Sequence, residues 1–427
     1  MLGSVPVTPK AIDDYRPVVG DEQIDEIVRL GRSLAGARVL HVNSTSFGGG
    51  VAEILMTLVP LMNDVGLQAD WQVIHGTDDF FRVTKAMHNN LQGMDVDWSP
   101  HMEQIWLDNN RQNAENFAGG YDYVVVHDPQ PAALLSYLRE TDPSRAGGKW
   151  VWRCHIDLTD SRPDVWDFLK GHVSHFDGAI FTARDYVKKD LAGPQVFIVP
   201  PAIDPLSPKN VELPGETHLQ VLRRYGIDEN RPFITQVSRF DPWKNPLAVI
   251  EVYRQLKQDF PGLQLVLVAS MASDDPEGWT WYERTVRRAG EDYDIHILTN
   301  LNGVGNVEVN AFQRAQVVVQ KSLREGFGLV VSEALWKGRP VVADRVGGIP
   351  LQLQHGETGY LVDSVEETIR YVAALLNDAP LADRMGAAGR EFVRERFLIT
   401  RYLRDYLTIF RTLGGDAPAS VGAEEAS

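Results

Sequence analysis

Short β-branched apolar segments alternate with longer amphipathic segments along most of this chain. This alternation is typical of right-handed βαβ units, in which helices cover both faces of a parallel sheet. It predicts an α/β protein with two doubly wound parallel sheets. The predicted strands form two series, residues 37–43, 121–128, 149–157, 178–183 and 196–201 and then residues 232–239, 263–270, 294–300, 317–322, 340–345 and 358–362.

A polar, proline-rich stretch, PLSPKNVELPGETH, separates the two series and marks a domain boundary. We expect a Rossmann-like first domain over residues 1–205 and a second over residues 206–395, facing each other across a cleft. A helical segment is predicted from about residue 380, and its last part, about 396–413, is expected to cross back to the first domain. Residues 414–427, rich in Gly, Ala and Glu, are expected to be a disordered tail.

Composition narrows the class of protein. A chain of 427 residues that is 44% hydrophobic and 23% charged is typical of a globular protein with two or three domains. The net charge of −16 argues against a general binder of nucleic acid or of an anionic membrane. The single cysteine, Cys154, excludes an intrachain disulfide and is consistent with a reducing compartment. With no apolar segment of signal-peptide or membrane-spanning type in this sequence, we expect a cytoplasmic location.

Two acids stand eight positions apart in the stretch KSLREGFGLVVSEALWKG. A helix beginning near Gly328 would place Glu333 about one and a half turns into the helix and Glu325 on the loop before it. Gly326 and Gly328 would leave the helix-start N–H groups open to a ligand. Carboxylates there suit the hydroxyls of a sugar or ribose better than a phosphate. A capped surface helix with two solvated acids is the alternative.

Two cations follow a predicted strand of the second domain in the segment VSRFDPWKNP. Arg239 and Lys244 are five residues apart, and Pro242 and Trp243 stiffen the turn between them. This arrangement suits a diphosphate leaving group, on which charge develops as a bond breaks. A solvated loop is the alternative.

In the first domain, Gly48, Gly49 and Gly50 separate a strand from a helix. Three glycines allow the backbone to approach a ligand at a helix N-terminus. The run matches neither the GxGxxG nor the P-loop pattern, so a tight turn is an equal alternative.

Polar residues also follow several strands of the first domain, where ligands of open α/β sheets bind. His155 is predicted either to act in the cleft or to be a hydrogen-bonded core histidine, and neighbouring Cys154 to be inert packing. Asp128 and Asp204 could orient sugar hydroxyls or cap the helices that follow them. Asp95-Val96-Asp97 resembles the DxD motif of metal-dependent transferases, but no predicted strand leads into it, so metal binding is not favoured.

Taken together, the glycine run, the two cations and the acid pair resemble the retaining GT-B glycosyltransferases, whose mark is E-x7-E. Longer segments are similar to the trehalose glycosyltransferring synthase family, which joins a nucleotide-activated glucose to free glucose. The resemblance covers nearly the whole chain, and its segments are HVNSTSFGGGVAEIL, VVHDPQPAAL, WRCHIDL, ITQVSRFDPWK, DDPEGW and REGFGL.

This resemblance implies a role for each candidate residue. Arg239 and Lys244 would hold the diphosphate, Glu333 the donor ribose and Glu325 the donor glucose hydroxyls. His155 would lie near C6 of the donor sugar and is counted with Arg239, Lys244 and Glu325 as catalytic. The remaining donor contacts would come from Gly48, Gly49, Gly50, Gly326, Phe327, Gly328 and Leu329, and the acceptor contacts from Asp128 and Gln130.

The family mechanism needs no enzymic nucleophile, because the departing phosphate oxygen can take the acceptor's proton. Arg239, Lys244 and the N–H groups near Gly328 offer the positive charge that a metal ion would otherwise supply to the diphosphate. We therefore expect no required cofactor, with Mg²⁺ at most stimulatory. Expected ligands are ADP-, UDP- or GDP-glucose, glucose and trehalose, and the family implies a homodimer. Two alternatives stay open: a trehalose phosphorylase that uses inorganic phosphate, and a non-catalytic sugar-binding protein.

Overall fold

The computed structural model describes residues 2–47, 49–270 and 276–415. The chain divides into two compact units, of which the first comprises Met1–Pro201 and Ile399–Ser427 and the second comprises Ala202–Leu398. The predicted boundaries, between residues 205 and 206 and between residues 395 and 396, each lie a few residues from those of the two units.

The first unit contains one seven-stranded sheet with the strand order β1-β3-β2-β4-β5-β6-β7. All neighbouring strands are parallel except the edge strand β1, which pairs antiparallel with β3. Five of the strands were predicted, whereas β1 and β3 were not. The strands are β1 (Gly3–Ser4), β2 (Arg38–Asn43), β3 (Gln68–Val73), β4 (Tyr123–His127), β5 (Lys149–Arg153), β6 (Gly178–Phe181) and β7 (Gln195–Ile198).

Helices connect these strands, as expected of βαβ units. The sequence prediction for β5 was too long: the strand ends at Arg153, so residues 154–157 are not in the sheet. The helices are α1 (Arg16–Val19), α2 (Asp21–Ser33), α3 (Gly50–Asp64), α4 (Asp78–Leu91), α5 (Pro100–Glu115), α6 (Leu134–Thr141) and α7 (Pro163–Val173).

The second unit contains a six-stranded, fully parallel sheet with the order β10-β9-β8-β11-β12-β13. All six strands were predicted. The strands are β8 (Phe233–Arg239), β9 (Gln264–Ser270), β10 (Ile295–Thr299), β11 (Val317–Gln320), β12 (Val341–Asp344) and β13 (Gly359–Val362). The helices are α8 (Gly215–Arg224), α9 (Pro246–Asp259), α10 (Pro276–Ala289), α11 (Asn306–Phe312), α12 (Leu329–Trp336), α13 (Val365–Asn377) and α14 (Ala379–Arg396).

The predicted C-terminal helical segment is two helices, because α14 ends at Arg396 and a final helix, α15 (Ile399–Gly414), begins three residues later. Helix α15 belongs to the first unit and packs against α2 and α3. Tyr402, Tyr406 and Phe410 recur every four residues and are buried, which gives α15 one apolar face. The ring of Phe410 stacks on Tyr123 of β4 at 4.5 Å between centroids.

The two faces of the first sheet therefore differ in what covers them. Because side chains alternate along a strand, Val124 and Val126 of β4 lie on one face, in the main core with α4 to α7. Tyr123, Val125 and His127 lie on the other face, where Tyr123 stacks on Phe410 of α15. In the described part of the chain, no helix combines the length and apolarity needed to cross a membrane.

Candidate functional site

The glycine-rich loop before α12 adopts the geometry that the sequence predicts. Gly328 immediately precedes the helix with a φ of 81°, in the left-handed region that favours glycine. A Cβ atom at this position would lie 3.0 Å from Cγ of Glu325. Glycine at position 328 therefore serves both the turn and the close approach of Glu325 to the start of the helix.

Glu325 forms an ion pair with Lys244, with 2.5 Å between Nζ and Oε2. Both side chains are largely buried, with exposed fractions of 10% and 14%, and the Ser322 hydroxyl also donates to Glu325, at 3.3 Å. The alternative of a solvated acid is therefore wrong for Glu325. Lys244 and Glu325 were predicted to contact different groups of the ligand, whereas the structure brings the two side chains together.

A short 3₁₀ turn, Pro242–Lys244, positions Lys244. The Asp241 side chain accepts a hydrogen bond from the Lys244 main-chain N–H at 3.0 Å and so caps the turn. Asp241 also lies 3.2 Å from the Arg239 guanidinium at the end of β8. Arg239 is about half-exposed, so its guanidinium is open to a ligand while Lys244 is held in the pair with Glu325.

Glu333 is fully buried on α12 and has two side-chain partners. Lys209 lies 3.2 Å from Oε1, and Gln313 donates to Oε2 at 2.6 Å. Burial alone would raise the pKa of Glu333, but the charges of Lys209 and Lys337 and the bond from Gln313 together lower it. The solvated-acid alternative is wrong here too, because Glu333 is a buried carboxylate held in its ionised form.

Sequence reasoning missed Lys209. It lies in the polar stretch between the two strand series, where one lysine among several charged residues carries no distinguishing signal. Its partner, Glu333, is more than 100 positions away, so only the folded chain joins them.

In the first unit, Gly49 precedes α3 with an extended φ of −155°, a conformation open to any residue. An added Cβ atom at this position would meet nothing within 4 Å. Local packing therefore does not require glycine at position 49, which leaves room beside the start of α3, where Gly50 is the first helical residue. Gly48 lies outside the described residues.

Asp128 follows β4 with a φ of 61°, which is unusual for a residue other than glycine. Its Oδ1 atom accepts a hydrogen bond from the His155 main-chain N–H at 2.7 Å. Burial raises the pKa of Asp128 to about 6. Neither Asp128 nor Asp204 caps the helix that follows it, because those helices begin at Leu134 and Gly215, and Asp204 instead accepts a hydrogen bond from the Leu206 N–H at 2.9 Å.

His155 belongs to a row of three histidines. Its Nε2 atom lies 3.0 Å from Nδ1 of His127, and Nε2 of His127 lies 3.0 Å from Nδ1 of His41. Neighbouring Cys154 is fully buried, and its Sγ lies 3.6 Å from the Ile156 carbonyl oxygen. Burial raises the pKa of the Cys154 thiol well above its ordinary value, so its role as packing is confirmed.

The other first-domain candidates are less distinctive. Gln130 is half-buried, and its main-chain carbonyl accepts from Asn110 at 3.0 Å. Asp95 forms an exposed ion pair with Arg162 at 3.0 Å. Within residues 2–47, 49–270 and 276–415, no group of three or more His, Cys, Asp or Glu side chains is arranged to hold a metal ion.

Family models match both halves of the chain. A model described as "Trehalose synthase, N-terminal domain" matches residues 41–188, and one described as "Glycosyl transferases group 1" matches residues 220–392. The two matches contain Asp128 and His155 in the first half and Arg239, Lys244, Glu325 and Glu333 in the second.

Similar proteins extend over nearly the full length. Trehalose synthase of Pyrococcus horikoshii is 48% identical over 95% of this chain and 97% of its own, and that of Rubrobacter xylanophilus is 49% identical over 97% and 100%. Trehalose phosphorylase of Grifola frondosa is more distant, at 27% identity over 90% of this chain and 58% of its own.

Among solved structures, the one described as "Trehalose-6-phosphate from E. coli bound with UDP-2-fluoro glucose" has a TM-score of 0.69 and 14% identity. It covers 88% of this chain and 99% of its own. At this identity the likeness concerns the fold alone, which is GT-B, with two parallel-sheet α/β domains. With relatives near 50% identity over almost their entire length, the chain belongs to the trehalose synthase family of glycosyltransferases.

Proposed function

We propose that this protein is a retaining glucosyltransferase that moves glucose from a nucleoside diphosphate glucose to free glucose and forms α,α-trehalose. The observation that carries the proposal is the buried Lys244–Glu325 pair beside the start of α12. It combines a cation for the leaving diphosphate, a carboxylate for sugar hydroxyls and the N–H groups of a helix N-terminus.

The charges of the second unit suit the leaving group. As the bond between C1 of glucose and the phosphate oxygen breaks, negative charge grows on the diphosphate, and fixed cations lower the barrier. Arg239 is exposed enough to meet the diphosphate directly. When the donor binds, Lys244 would leave its ion pair with Glu325 and pair with the phosphate instead. Glu325 could then accept hydrogen bonds from the glucose hydroxyls.

Glu333 is assigned to the donor ribose. A carboxylate has about four acceptor positions, and the bonds from Lys209 and Gln313 occupy two of them. A ribose hydroxyl could therefore be added without breaking the existing pair. The low pKa of Glu333 keeps this acceptor ionised at neutral pH.

The first unit is assigned to the neutral sugars. Asp128 would orient the acceptor glucose together with Gln130, because Oδ2 of Asp128 has no hydrogen bond from the residues that the structure describes. His155 is assigned to the C6 region of the donor sugar, and Gly49 to close approach of the donor. The UDP-2-fluoro glucose bound by the E. coli protein of the same fold supports a nucleotide sugar as the ligand class.

The reaction then needs no enzymic nucleophile. The C1–O bond to phosphate breaks, the acceptor oxygen bonds to C1 on the same face, and the acceptor's proton passes to the departing phosphate oxygen. Arg239, Lys244 and the helix N–H groups supply the positive charge that a divalent ion provides in metal-dependent transferases. We therefore propose that chelators leave most of the activity intact and that Mg²⁺ is at most stimulatory.

A product assay with ADP-, UDP- and GDP-glucose, each with glucose and with or without inorganic phosphate, tests the proposal. We expect trehalose and free nucleoside diphosphate from at least one donor without phosphate. Trehalose turnover that requires inorganic phosphate and no nucleotide would instead identify a trehalose phosphorylase. Binding of these sugars without turnover of any of them would identify a non-catalytic sugar-binding protein.

A further inference from the structure

Asp128 leaves β4 in a conformation that its local sequence disfavours. Its φ is 61°, and residues other than glycine seldom have a positive φ. Pro129 follows it, and a residue before proline prefers an extended backbone with a negative φ. Such conformations persist only where the surrounding structure holds them, and they are frequent at active sites. Contacts with the rest of the first unit must therefore hold Asp128 in this turn.

The hydrogen bonds of Asp128 show what the turn changes. His127 lies opposite Arg153 in the register of β4 and β5. One more residue of parallel ladder would join the Asp128 N–H to the Arg153 carbonyl and the His155 N–H to the Asp128 carbonyl. The first bond is present at 2.8 Å, but the His155 N–H donates to Oδ1 of the Asp128 side chain, at 2.7 Å. The carboxylate therefore takes the place of the main-chain carbonyl at the end of the ladder.

Trp152 of β5 binds the carbonyl that the turn displaces. Its indole N–H donates to the Asp128 carbonyl oxygen at 3.0 Å. The indole is fully buried in the main core of the unit, where its ring meets Phe181 edge to face at 5.7 Å between centroids. If Asp128 were extended, its carbonyl would accept from the His155 N–H, and the buried indole N–H would lose its acceptor, which is costly. The indole bond therefore favours the turn over the extended ladder.

We propose that Trp152 is a positioning residue whose indole N–H holds Asp128 in the turn and so keeps its carboxylate at the carboxyl edge of the sheet, available to the acceptor sugar. The acceptor part of this proposal rests on the proposed function. Oδ1 of Asp128 is committed to the His155 N–H, which leaves Oδ2 to accept from a sugar hydroxyl. Trp152 acts only through Asp128, because its own side chain is fully buried.

The same strand supplies a matched control. Trp150 lies two residues before Trp152, on the same face of β5, and is equally buried. It donates its indole N–H to the Ala146 carbonyl oxygen, also at 3.0 Å. Ala146 precedes β5, at the end of the strand away from Asp128. Phenylalanine at either position removes one indole N–H and the same ring volume, so a difference between the two variants reports on the turn at Asp128.

A crystal structure of Trp152→Phe tests the conformation and needs no ligand. We expect the φ of Asp128 to become negative, with the His155 N–H donating to its main-chain carbonyl oxygen, whereas Trp150→Phe should keep the φ near 61°. An unchanged turn in Trp152→Phe, with the bond to Oδ1 preserved, would overturn the proposal. If this variant does not fold, benzothienylalanine at position 152 serves the same test, because sulfur replaces the indole N–H and the ring keeps its shape.

Kinetics connects the turn to the acceptor. We expect Trp152→Phe to lower kcat/KM for glucose about fivefold to tenfold, the size of one lost hydrogen bond. Affinity for the nucleoside diphosphate glucose, measured by calorimetry, should stay the same, and Trp150→Phe should change neither quantity. Equal losses of donor affinity and of kcat/KM for glucose in Trp152→Phe would indicate a general distortion of the unit and would overturn the positioning role.

A double-mutant cycle tests whether Trp152 acts through Asp128 alone. In an Asp128→Ala protein there is no carboxylate to position, so adding Trp152→Phe should lower kcat/KM for glucose no further. The same fivefold to tenfold loss in both backgrounds would reject the coupling. If the wild type transfers glucose from no nucleotide sugar while the φ of Asp128 changes as expected in Trp152→Phe, the positioning by Trp152 stands and the proposed function fails.

Discussion

The candidate site residues of the two units differ in how they carry charge. In the second unit, Lys244 pairs with Glu325 and Lys209 with Glu333, so that full charges are held in pairs at or near α12. In the first unit, the corresponding edge of the sheet carries neutral imidazoles ending at His155 and, beside them, an Asp128 whose pKa is raised.

This difference suggests a division of labour. A buried ion pair can exchange one partner for a charged ligand, because the lysine that leaves its carboxylate finds a phosphate instead. Neutral imidazoles and a single carboxylate suit hydroxyl groups, which need directed donors and acceptors rather than net charge. Under the proposed function, the second unit would manage the charge of the leaving group and the first would orient the sugars.

Of the substitutions in the two units, Lys244→Ala should have the largest effect on catalysis. Its contact with the diphosphate strengthens as the bond breaks, so kcat should fall by roughly 100-fold, or about 3 kcal/mol in the barrier. Donor affinity, measured by calorimetry, should change much less. An unchanged kcat with only a raised KM would contradict this role.

Lys321→Ala is the matched control for Lys244→Ala. Lys321 is a buried lysine of the same unit, paired with Asp344. Both variants leave a buried carboxylate without its cation and should lower the free energy of unfolding. Only Lys244→Ala should also lower kcat by roughly 100-fold, which separates the chemical effect from lost stability.

Asp128→Asn tests the role proposed for the first unit, the orientation of the acceptor sugar. An asparagine oxygen can still accept from the His155 N–H, so the turn at position 128 should survive, whereas the charge offered to the acceptor is lost. We expect kcat/KM for glucose to fall about 10- to 100-fold, equivalent to a charge-assisted bond of about 1.5–3 kcal/mol. Lost affinity for the nucleotide sugar with normal acceptor kinetics would move Asp128 to the donor site.

The pKa of Asp128 also predicts a pH dependence. Because burial raises this pKa to about 6, the carboxylate gains a proton as the pH falls through 6, and kcat/KM for glucose should fall with it. Asp128→Asn has no carboxylate to titrate, so its profile should lack this acid limb. If kcat/KM of Asp128→Asn falls at low pH in the same way, a group other than Asp128 causes the fall.

Glu333→Gln should have a smaller effect. The Oε1 atom of a glutamine at position 333 can still accept from Lys209. The Gln313 amide can flip, so that its oxygen, which has no partner among the described residues, accepts from the new side-chain NH₂ group. We expect nucleotide-sugar affinity to weaken about tenfold through the lost ionic acceptor for ribose. Activity in excess chelator should remain as tolerant as in the wild type. A different outcome would identify the acid pair as a metal site. In that case, chelator would inactivate the protein fully, only a divalent metal would restore its activity, and the metal would fail to restore activity in Glu325 or Glu333 variants.

The buried His41 should lower the free energy of unfolding at acidic pH. The pKa of His41 is about 3 in the folded protein and about 6.5 when unfolded, so below pH 6.5 the unfolded chain binds the proton first. The contribution of His41 to stability is therefore complete above pH 6.5 and is lost as the pH falls toward 3. Urea unfolding at several pH values should show a weaker acid dependence for His41→Leu than for the wild type.

The sequence predicted the fold well where strands are almost wholly buried, as with β8, β11 and β12 of the second unit. It failed for β3, whose Asp70 and Gln72 interrupt the apolar run. That strand lies next to the edge strand β1, where less apolar burial is needed. The end of β5 was also misplaced, because Cys154 and Ile156 are as apolar as strand residues although they lie beyond the sheet.

The site was predictable only as far as its residues stand together in the sequence. Gly328, Glu325 and the spacing to Glu333 follow from one local helix start. The partners Lys209 and Gln313 come from distant segments, and no local pattern distinguishes them. The positive φ of Asp128 and the row that joins His41 to His155 likewise depend on the register of neighbouring strands.

The most direct test of the proposed reaction follows the acceptor glucose into the product. The protein is mixed with an unlabelled nucleoside diphosphate glucose and [1-¹³C]glucose in excess chelator, without phosphate, and the products are followed by NMR. We expect α,α-trehalose labelled in one ring only, formed together with an equal amount of nucleoside diphosphate. Labelled glucose that stays unchanged while the donor is hydrolysed or left intact would contradict the proposed reaction.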